Sequence, residues 1–359
     1  MRKLLLLIAA VSFLTGCNEK FDIGVFDSQK GTSNIGGDTV YVELTPSWGG
    51  FTQPHDVYVG NDYFVYVTDP GAGKLVMLNQ AGERLSEISV PGVLSVAQDY
   101  KLNLIVTGKF DTLINGSNVS VSAIYKIDMY ASGHNLGAAQ LKRILPAPGR
   151  AFSEKDLRVN YTGVCAFYDN SFYVARSGPG NTSIFDPDNS ILIFETFSNG
   201  GVTKDSLIGR VPGIEPLGTG ILSANYVTSL VSFNRRNIDF IMTMNGDNSF
   251  RTQWLTYVIS QLGEEYESRL TPGGVEIMKP GKFIVPADVT LDRFNNIYVA
   301  DPGTDSIYKF NTFGDELESF GGASVFNNPT GVAHFDRVLY VADQGNGKIR
   351  RFTLSTDLR

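Results

Sequence analysis

The chain of 359 residues has only two cysteines and three histidines. These counts exclude a fold held by several disulfides and leave few ligands for a zinc centre. Lys and Arg number 30 against 37 Asp and Glu, a formal net charge of −7, so the chain lacks the basic excess typical of a nucleic-acid partner. Hydrophobic residues make up 42% of the chain, and glycine is plentiful at 38 residues. This composition indicates a globular protein with many turns.

The first 17 residues have the pattern of an export signal. Arg2 and Lys3 precede the apolar run Leu4–Leu14, which is too short to cross about 30 Å of hydrocarbon as a helix. Leu14-Thr15-Gly16-Cys17 then resembles the bacterial lipoprotein processing box, in which cleavage precedes a cysteine that receives acyl chains. We therefore expect a lipoprotein signal peptide over residues 1–16, lipid attachment at Cys17 and a flexible tether over residues 17–37. The alternative is an ordinary secretory signal with a chance cysteine.

Internal repeats are the strongest pattern in the sequence. A Pro-x-Asp/Gly-Val segment is followed in the same repeat by Tyr-Val-x-Asp-x-Gly. The best copies are Pro54–Val57 with Tyr66–Gly71, Pro286–Val289 with Tyr298–Gly303, and Pro329–Val332 with Tyr340–Gly345. Weaker copies between them make six units, beginning near residues 51, 92, 160, 226, 284 and 327. Each unit has short runs of β-branched and aromatic residues separated by Gly, Pro, Asn and Asp, which predicts short strands and no helix.

Small sheets of this kind bury both faces when they stand side by side around an axis. The repeat resembles that of the NHL-repeat β-propeller family, and the leader resembles that of Bacteroidetes-type envelope lipoproteins. The resemblance implies an all-β, six-bladed propeller of four-stranded antiparallel blades over residues 38–359. The sixth unit supplies only three strands, so Thr39–Leu44, which alternates like a strand, is expected to complete that blade beside Ile349–Leu354.

One position in the repeat distinguishes the third unit from the others. Asp69, Asp301 and Asp343 occupy it in the clearest copies, where they are expected to accept backbone N–H groups at turns. Arg176 stands there in the third unit. Arg176 either points into the channel mouth and binds a carboxylate, sulfate or phosphate, or it pairs with a neighbouring acid such as Asp186 or Asp188.

The long connections of the chain predict which face carries function. Stretches at about 108–122, 146–160, 177–189, 212–225 and 244–252 all fall on one face by the alternation of strand direction, and all belong to the second to fourth units. Ligands are commonly bound by loops on a rigid scaffold, so we expect a lopsided binding face there. The residues expected to reach it include His55, Asp56, Arg158, Tyr161, Arg176, Tyr226, Asn245, Arg251, Asp288 and Thr330.

Two classes of function remain open from the sequence. The first is a lipid-anchored envelope protein that binds a protein, glycan or peptide partner without a cofactor, and Asn18-Glu19-Lys20 favours the outer membrane. The second is a calcium-dependent lactonase or hydrolase, as resemblance to other six-bladed propellers implies. Its oxygen ligands would be Asp56, Asn225, Asn245 and Asp288, unless the two aspartates only cap inner strands. A purely architectural role in an envelope complex is a third interpretation.

Overall fold

Strand pairing joins the two ends of the described chain. The computed structural model describes residues 40–200, 202–218, 220–261, 263–273 and 275–358. Strand β1 (Tyr41–Glu43) lies antiparallel to the last strand, β24 (Lys348–Leu354), with Tyr41 opposite Leu354. The predicted closure of the last blade is therefore confirmed for Tyr41–Glu43. The predicted signal peptide, Cys17 and the tether lie outside the described residues.

Within the described ranges, six four-stranded antiparallel sheets form the blades of an all-β propeller, as predicted. Blade 1 contains β2 (Asp56–Val59), β3 (Val65–Asp69), β4 (Lys74–Leu78) and β5 (Arg84–Ser89). Blade 2 contains β6 (Val96–Gln98), β7 (Asn103–Ile114), β8 (Ser117–Asp128) and β9 (Leu141–Leu145). Blade 3 contains β10 (Asn160–Ala166), β11 (Phe172–Ser177), β12 (Ser190–Asn199) and β13 (Val202–Arg210).

The second half of the ring repeats this order. Blade 4 contains β14 (Val227–Ser232), β15 (Phe240–Met244), β16 (Thr252–Ser260) and β17 (Gly263–Ser268). Blade 5 contains β18 (Asp288–Leu291), β19 (Ile297–Asp301), β20 (Ser306–Phe310) and β21 (Glu316–Gly321). Blade 6 contains β22 (Pro329–Phe335), β23 (Val338–Asp343), β24 and β1.

A short helix departs from the prediction that no unit contains one. Helix α1 (Glu154–Arg158) lies between blades 2 and 3 and begins with a capping box, in which Ser153 and Asp156 bond each other's backbone N–H groups. Such reciprocal capping stabilises a first helical turn locally. No helix in the described part of the chain is long and apolar enough to span a membrane.

The innermost strand of each blade contacts the innermost strand of the next, which closes a ring around a central channel. All six run in the same direction. The turns from the innermost to the second strand therefore share one face, here called the turn face. Connections between blades, and those between the second and third strands, share the opposite face, here called the loop-rich face.

Six hydrophobic clusters hold the ring together, one between each pair of neighbouring blades. The alternation along β3 shows how a strand contributes to two of them. Tyr66 packs toward blade 2, while Val65 and Val67 pack toward blade 6. Fully burying a side chain of this size contributes about 1.5–3 kcal/mol, so each blade is stabilised mainly by its two neighbours.

The repeated aspartates tie the connections between blades to the sheets. Asp69 accepts the N–H groups of Thr52 and Gln53 at 2.8 and 2.9 Å. Asp301 accepts those of Ile284 and Val285, both at 2.8 Å. The structure thus confirms that these carboxylates bond backbone N–H groups at turns.

Candidate functional site

The loop-rich face is walled over blades 2 to 4. Its wall contains α1, the extended end of the β7–β8 hairpin and the connections 178–189, 211–226 and 245–251. The connection 269–287 between β17 and β18 belongs to the same face, although it was not among the long connections predicted from the sequence. The described connections on this face over blades 1, 5 and 6 are shorter than 269–287.

A cavity of about 410 Å³, here called the mouth cavity, opens inside this wall. Its lining comes from the innermost strands β10 and β14 and from the loops beside them. The lining residues are Leu94, Arg158, Asn160, Thr162, Ser177, Gly178, Pro179, Tyr226, Val227, Thr228 and Asn245. The structure thus brings Arg158, Tyr226 and Asn245 together on the loop-rich face.

Two side chains of the mouth cavity are held in specific conformations. Arg158 forms two bonds to Asp188, from Nε to Oδ2 at 2.7 Å and from NH2 to Oδ1 at 3.0 Å. Tyr226 has a φ of 55° and a 43% exposed side chain. A left-handed backbone is uncommon for tyrosine. The cavity therefore presents an oriented guanidinium and an exposed aromatic ring.

The channel continues below the mouth cavity along the same strands. A narrow cavity of about 110 Å³ is lined by residues of all six innermost strands, including Asp56 and Asp288. Asp56 Oδ2 accepts the Val96 N–H at 3.0 Å, and Asp288 Oδ2 accepts the Val332 N–H at 2.7 Å. Innermost strands have no neighbouring strand on their channel side, so these buried N–H groups need another acceptor. Each aspartate thus caps the innermost strand of the next blade.

The two carboxyls titrate far from their ordinary range. Burial raises the pKa of Asp56 well above its usual value, and the charge of Asp288 raises it further. Burial raises the pKa of Asp288 to about 6, against the opposing effect of its bonds to Ser229, Val332 and Val289. The pair therefore keeps a proton to higher pH than two ordinary aspartates would.

Glycine allows the innermost strands to approach each other at the level of these carboxyls. The repeat places Asp56, Ser95, Gly163, Ser229, Asp288 and Gly331 at equivalent positions. A Cβ atom on Gly331 would lie 2.6 Å from His55 O, and one on Gly163 would lie 2.8 Å from Ser229 Cα. Both contacts are with backbone and are too short for any side chain.

Several predicted ligand-binding residues instead join one blade to the next. His55 Nδ1 lies 3.1 Å from Leu94 O, so Nδ1 carries the proton and donates, because a carbonyl only accepts. Burial lowers the pKa of His55, which keeps the ring neutral with Nε2 as its free acceptor. Thr330 Oγ1 donates to His55 O at 2.8 Å.

Arg176 follows the second of its two sequence-based interpretations. Its side chain is buried and bonds the Asp186 carboxylate, while Nε donates to Asp188 O at 3.1 Å. Tyr161 is also buried, in the cluster between blades 2 and 3. Arg251 gives its main-chain carbonyl to the Met244 N–H at 2.9 Å. These three side chains do not line the mouth cavity.

The four predicted calcium ligands do not meet at one point. Asp56 and Asp288 line the channel, whereas Asn245 lines the mouth cavity. Asn225 packs against Gly246, and its amide faces the main chain at Asp247. Among the described residues no three His, Cys, Asp or Glu side chains lie close enough to hold a metal ion. Calcium prefers six to eight oxygen ligands, so the donor set derived from the sequence does not fit it as predicted.

Solved structures with this fold share little sequence with the chain. A luciferin-regenerating enzyme is 12% identical, with a TM-score of 0.56 and coverage of 88% of this chain and 95% of that chain. The calcium-binding protein regucalcin from Agrobacterium tumefaciens str. C58 is 11% identical, with a TM-score of 0.54 and coverage of 87% and 93%. A candidate gluconolactonase is 14% identical, with a TM-score of 0.52 and coverage of 89% and 94%.

No family model matches the chain, and no curated protein matches it. What the chain shares with the solved structures is the propeller fold, with neighbours of the gluconolactonase and regucalcin kind. The resemblance to NHL-repeat lipoproteins stays a prediction.

Proposed function

We propose that the propeller binds a small oxygen-rich molecule, such as a sugar, a lactone or a peptide fragment, in the mouth cavity. The observation that carries this proposal is the cavity of about 410 Å³ between the innermost strands and the loop wall. Its volume falls within the roughly 300–1,000 Å³ of small-molecule sites. Arg158, Asn160 and Asn245 supply polar groups for orientation, and Tyr226 supplies a surface for a ring. A whole protein partner would need a much larger interface.

Hydrolysis of the bound molecule is a second candidate function, favoured by the carboxyl pair below the cavity. When the pair carries a single proton, the channel offers one proton donor and one acceptor. The fold is shared with a candidate gluconolactonase and with calcium-binding regucalcin. A calcium ion would have to be held by Asp56 and Asp288 with hydroxyl or carbonyl oxygens, since Asn225 and Asn245 lie elsewhere.

Calorimetric titration with glucono-1,5-lactone, short glycans and short peptides tests the binding proposal. Asn160 lines the mouth cavity and is exposed, so Asn160→Trp fills the cavity without disturbing the core and should abolish binding. Gln80→Trp, at an exposed site on the outer edge of blade 1, is the matched control and should bind normally. Loss of binding in both variants, or in neither, would contradict the proposed location.

The hydrolase candidate has its own measurement. Acid release from glucono-1,5-lactone is followed in a pH-stat with added calcium and with a chelator. Turnover above the uncatalysed rate that disappears in Asp56→Asn would support hydrolysis at the channel. Ligand binding without turnover would leave the chain a binding protein.

We also propose that the chain is lipid-anchored through Cys17 in a bacterial envelope, as the sequence pattern predicts. Two or more acyl chains hold a protein stably on a bilayer. Mass spectrometry of the protein extracted from the native membrane should give an acylated N-terminal Cys17 peptide. An unmodified N-terminal peptide that begins at another cleavage site would refute the anchor.

A further inference from the structure

Exposed aromatic side chains recur on the turn face. The turns from the innermost to the second strand carry Tyr63 in blade 1, Tyr100 in blade 2, Tyr168 in blade 3 and Phe294 in blade 5, all exposed. Phe294 is 64% exposed, whereas Tyr298, four residues later in β19, is buried. Since the six innermost strands are parallel, these rings lie on one face of the propeller. A single exposed aromatic residue is ordinary, but the same turn repeating it in four blades is not.

The same turns carry an excess of exposed positive charge. Five cations are exposed on them: Lys101, Arg235, Arg236, Arg293 and Arg337. Of the turn carboxylates, Asp169 and Asp336 are exposed, Asp62 and Asp239 are partly buried, and Asp99 and Asp292 are buried. Buried Asp292 accepts the Phe294 N–H at 2.8 Å, so it serves its own turn. Among the exposed charged side chains of these turns, cations therefore outnumber carboxylates by five to two.

A wide opening at the centre of the turn face collects three of these cations. Arg235, Arg293 and Arg337 all line a cavity of about 690 Å³ around the channel exit. Tyr100 reaches the same region, because its hydroxyl donates to Asn234 Oδ1 at 2.8 Å. Aromatic rings and guanidinium groups therefore surround one opening, which Asp292 and Asp336 also line.

The chain enters the propeller from the same side. Tyr41 pairs with Leu354, at the end of β24 that lies on the turn face, and β1 runs from there toward the loop-rich face. The described chain therefore begins on the turn face.

We propose that the turn face rests on a phospholipid surface, with its aromatic rings among the headgroups and its arginines beside lipid phosphates. Tyrosine and other amphipathic rings favour the membrane–water interface, and each basic side chain near an anionic surface adds attraction. This orientation points the mouth cavity away from the bilayer. The inference adds to the proposed envelope location, but it concerns the propeller surface and not the acyl chains.

Vesicle flotation with residues 18–359, which cannot be acylated at Cys17, tests the surface by itself. The protein should float with vesicles of phosphatidylethanolamine and phosphatidylglycerol. Tyr168→Ser combined with Phe294→Ser should lower partitioning about tenfold. Ile184→Ser combined with Phe185→Ser removes two apolar side chains that are 83% and 90% exposed on the loop-rich face, and it should change nothing.

A second measurement reports the contact directly. Phe294→Trp and Phe185→Trp place an indole on the turn face and the loop-rich face, respectively. Brominated lipids should quench the first and not the second, because native Trp48 and Trp254 are both buried. The proposal would be overturned if the protein did not float with the vesicles or if both double variants lost partitioning equally. Equal quenching of the two introduced tryptophans would also overturn it. Acylation of Cys17 is measured separately, so failure of the anchor is distinguishable from failure of the surface.

Discussion

Asp288→Asn tests whether the channel carboxylate is held with a raised pKa. Burial raises the pKa of Asp288 from 3.8 to about 6, and each pKa unit corresponds to about 1.36 kcal/mol. The folded state then binds the proton more tightly than the unfolded state by roughly 3 kcal/mol. This contribution to the free energy of unfolding is complete below the ordinary pKa and is lost as pH rises through about 6.

Asparagine keeps the shape of the side chain but removes its titration. Asp288 accepts bonds from the Ser229 hydroxyl at 2.5 Å and from the N–H groups of Val289 and Val332 at 2.8 and 2.7 Å. An amide has one oxygen, so at least one buried donor loses its acceptor, at a cost of about 1–3 kcal/mol at every pH. The stability difference between wild type and variant should therefore be roughly 2.5 kcal/mol larger near pH 4 than near pH 7, and should approach about 3 kcal/mol near pH 3.

Urea unfolding followed by tryptophan fluorescence at several pH values measures this difference. The two carboxyls are coupled, so the same comparison in an Asp56→Asn background isolates the contribution of Asp288. A difference that stays constant with pH, or grows as pH rises, would refute a raised pKa. It would mean that the three donors stabilise the anion more than burial destabilises it.

Three further predictions concern packing, closure and the thiol. Gly331→Ala should destabilise the fold by about 1–3 kcal/mol in thermal or urea unfolding. Gly49→Ala, with no atom within 4 Å of the added Cβ, should have little effect. Arg350→Ala removes the ion pair that joins β24 to Glu43 of β1. It should lower the free energy of unfolding by about 1–3 kcal/mol and speed proteolytic release of the N-terminal segment. Arg350→Lys should behave between wild type and Arg350→Ala. Burial raises the pKa of the Cys165 thiol, so it should react with a thiol reagent only at the rate of unfolding; fast reaction in the native state would contradict its burial.

The repeat was sufficient to predict the scaffold. In β3, Tyr66 packs toward one neighbouring blade and Val65 and Val67 pack toward the other. The same alternation is required in every blade. The sequence therefore carries the same pattern six times, and the number of blades could be read from it. The role of Tyr41–Glu43 as the fourth strand of blade 6 could also be predicted, because the sixth unit was one strand short.

The mouth cavity could not be predicted in the same way. Pro179 lines the cavity from a loop outside the repeat, where the path of the chain depends on contacts distant in sequence. Arg176 occupies a repeat position, but its orientation is set by Asp186 in a neighbouring loop. Asn225 and Asn245 lie near the predicted face, yet the local backbone directs them to different surroundings. Strand positions follow from a periodic pattern, whereas the convergence of loop side chains does not.

The pairing of β1 with β24 has a mechanical consequence for a chain anchored ahead of Tyr41. Tension on the N-terminal segment would act along the axis of β1, parallel to the strand with which it pairs. The hydrogen bonds between β1 and β24 and the Glu43–Arg350 ion pair would then resist this tension in shear. They would have to break together rather than one after another. Sustained pulling would first detach this strand, and the ring would open at blade 6.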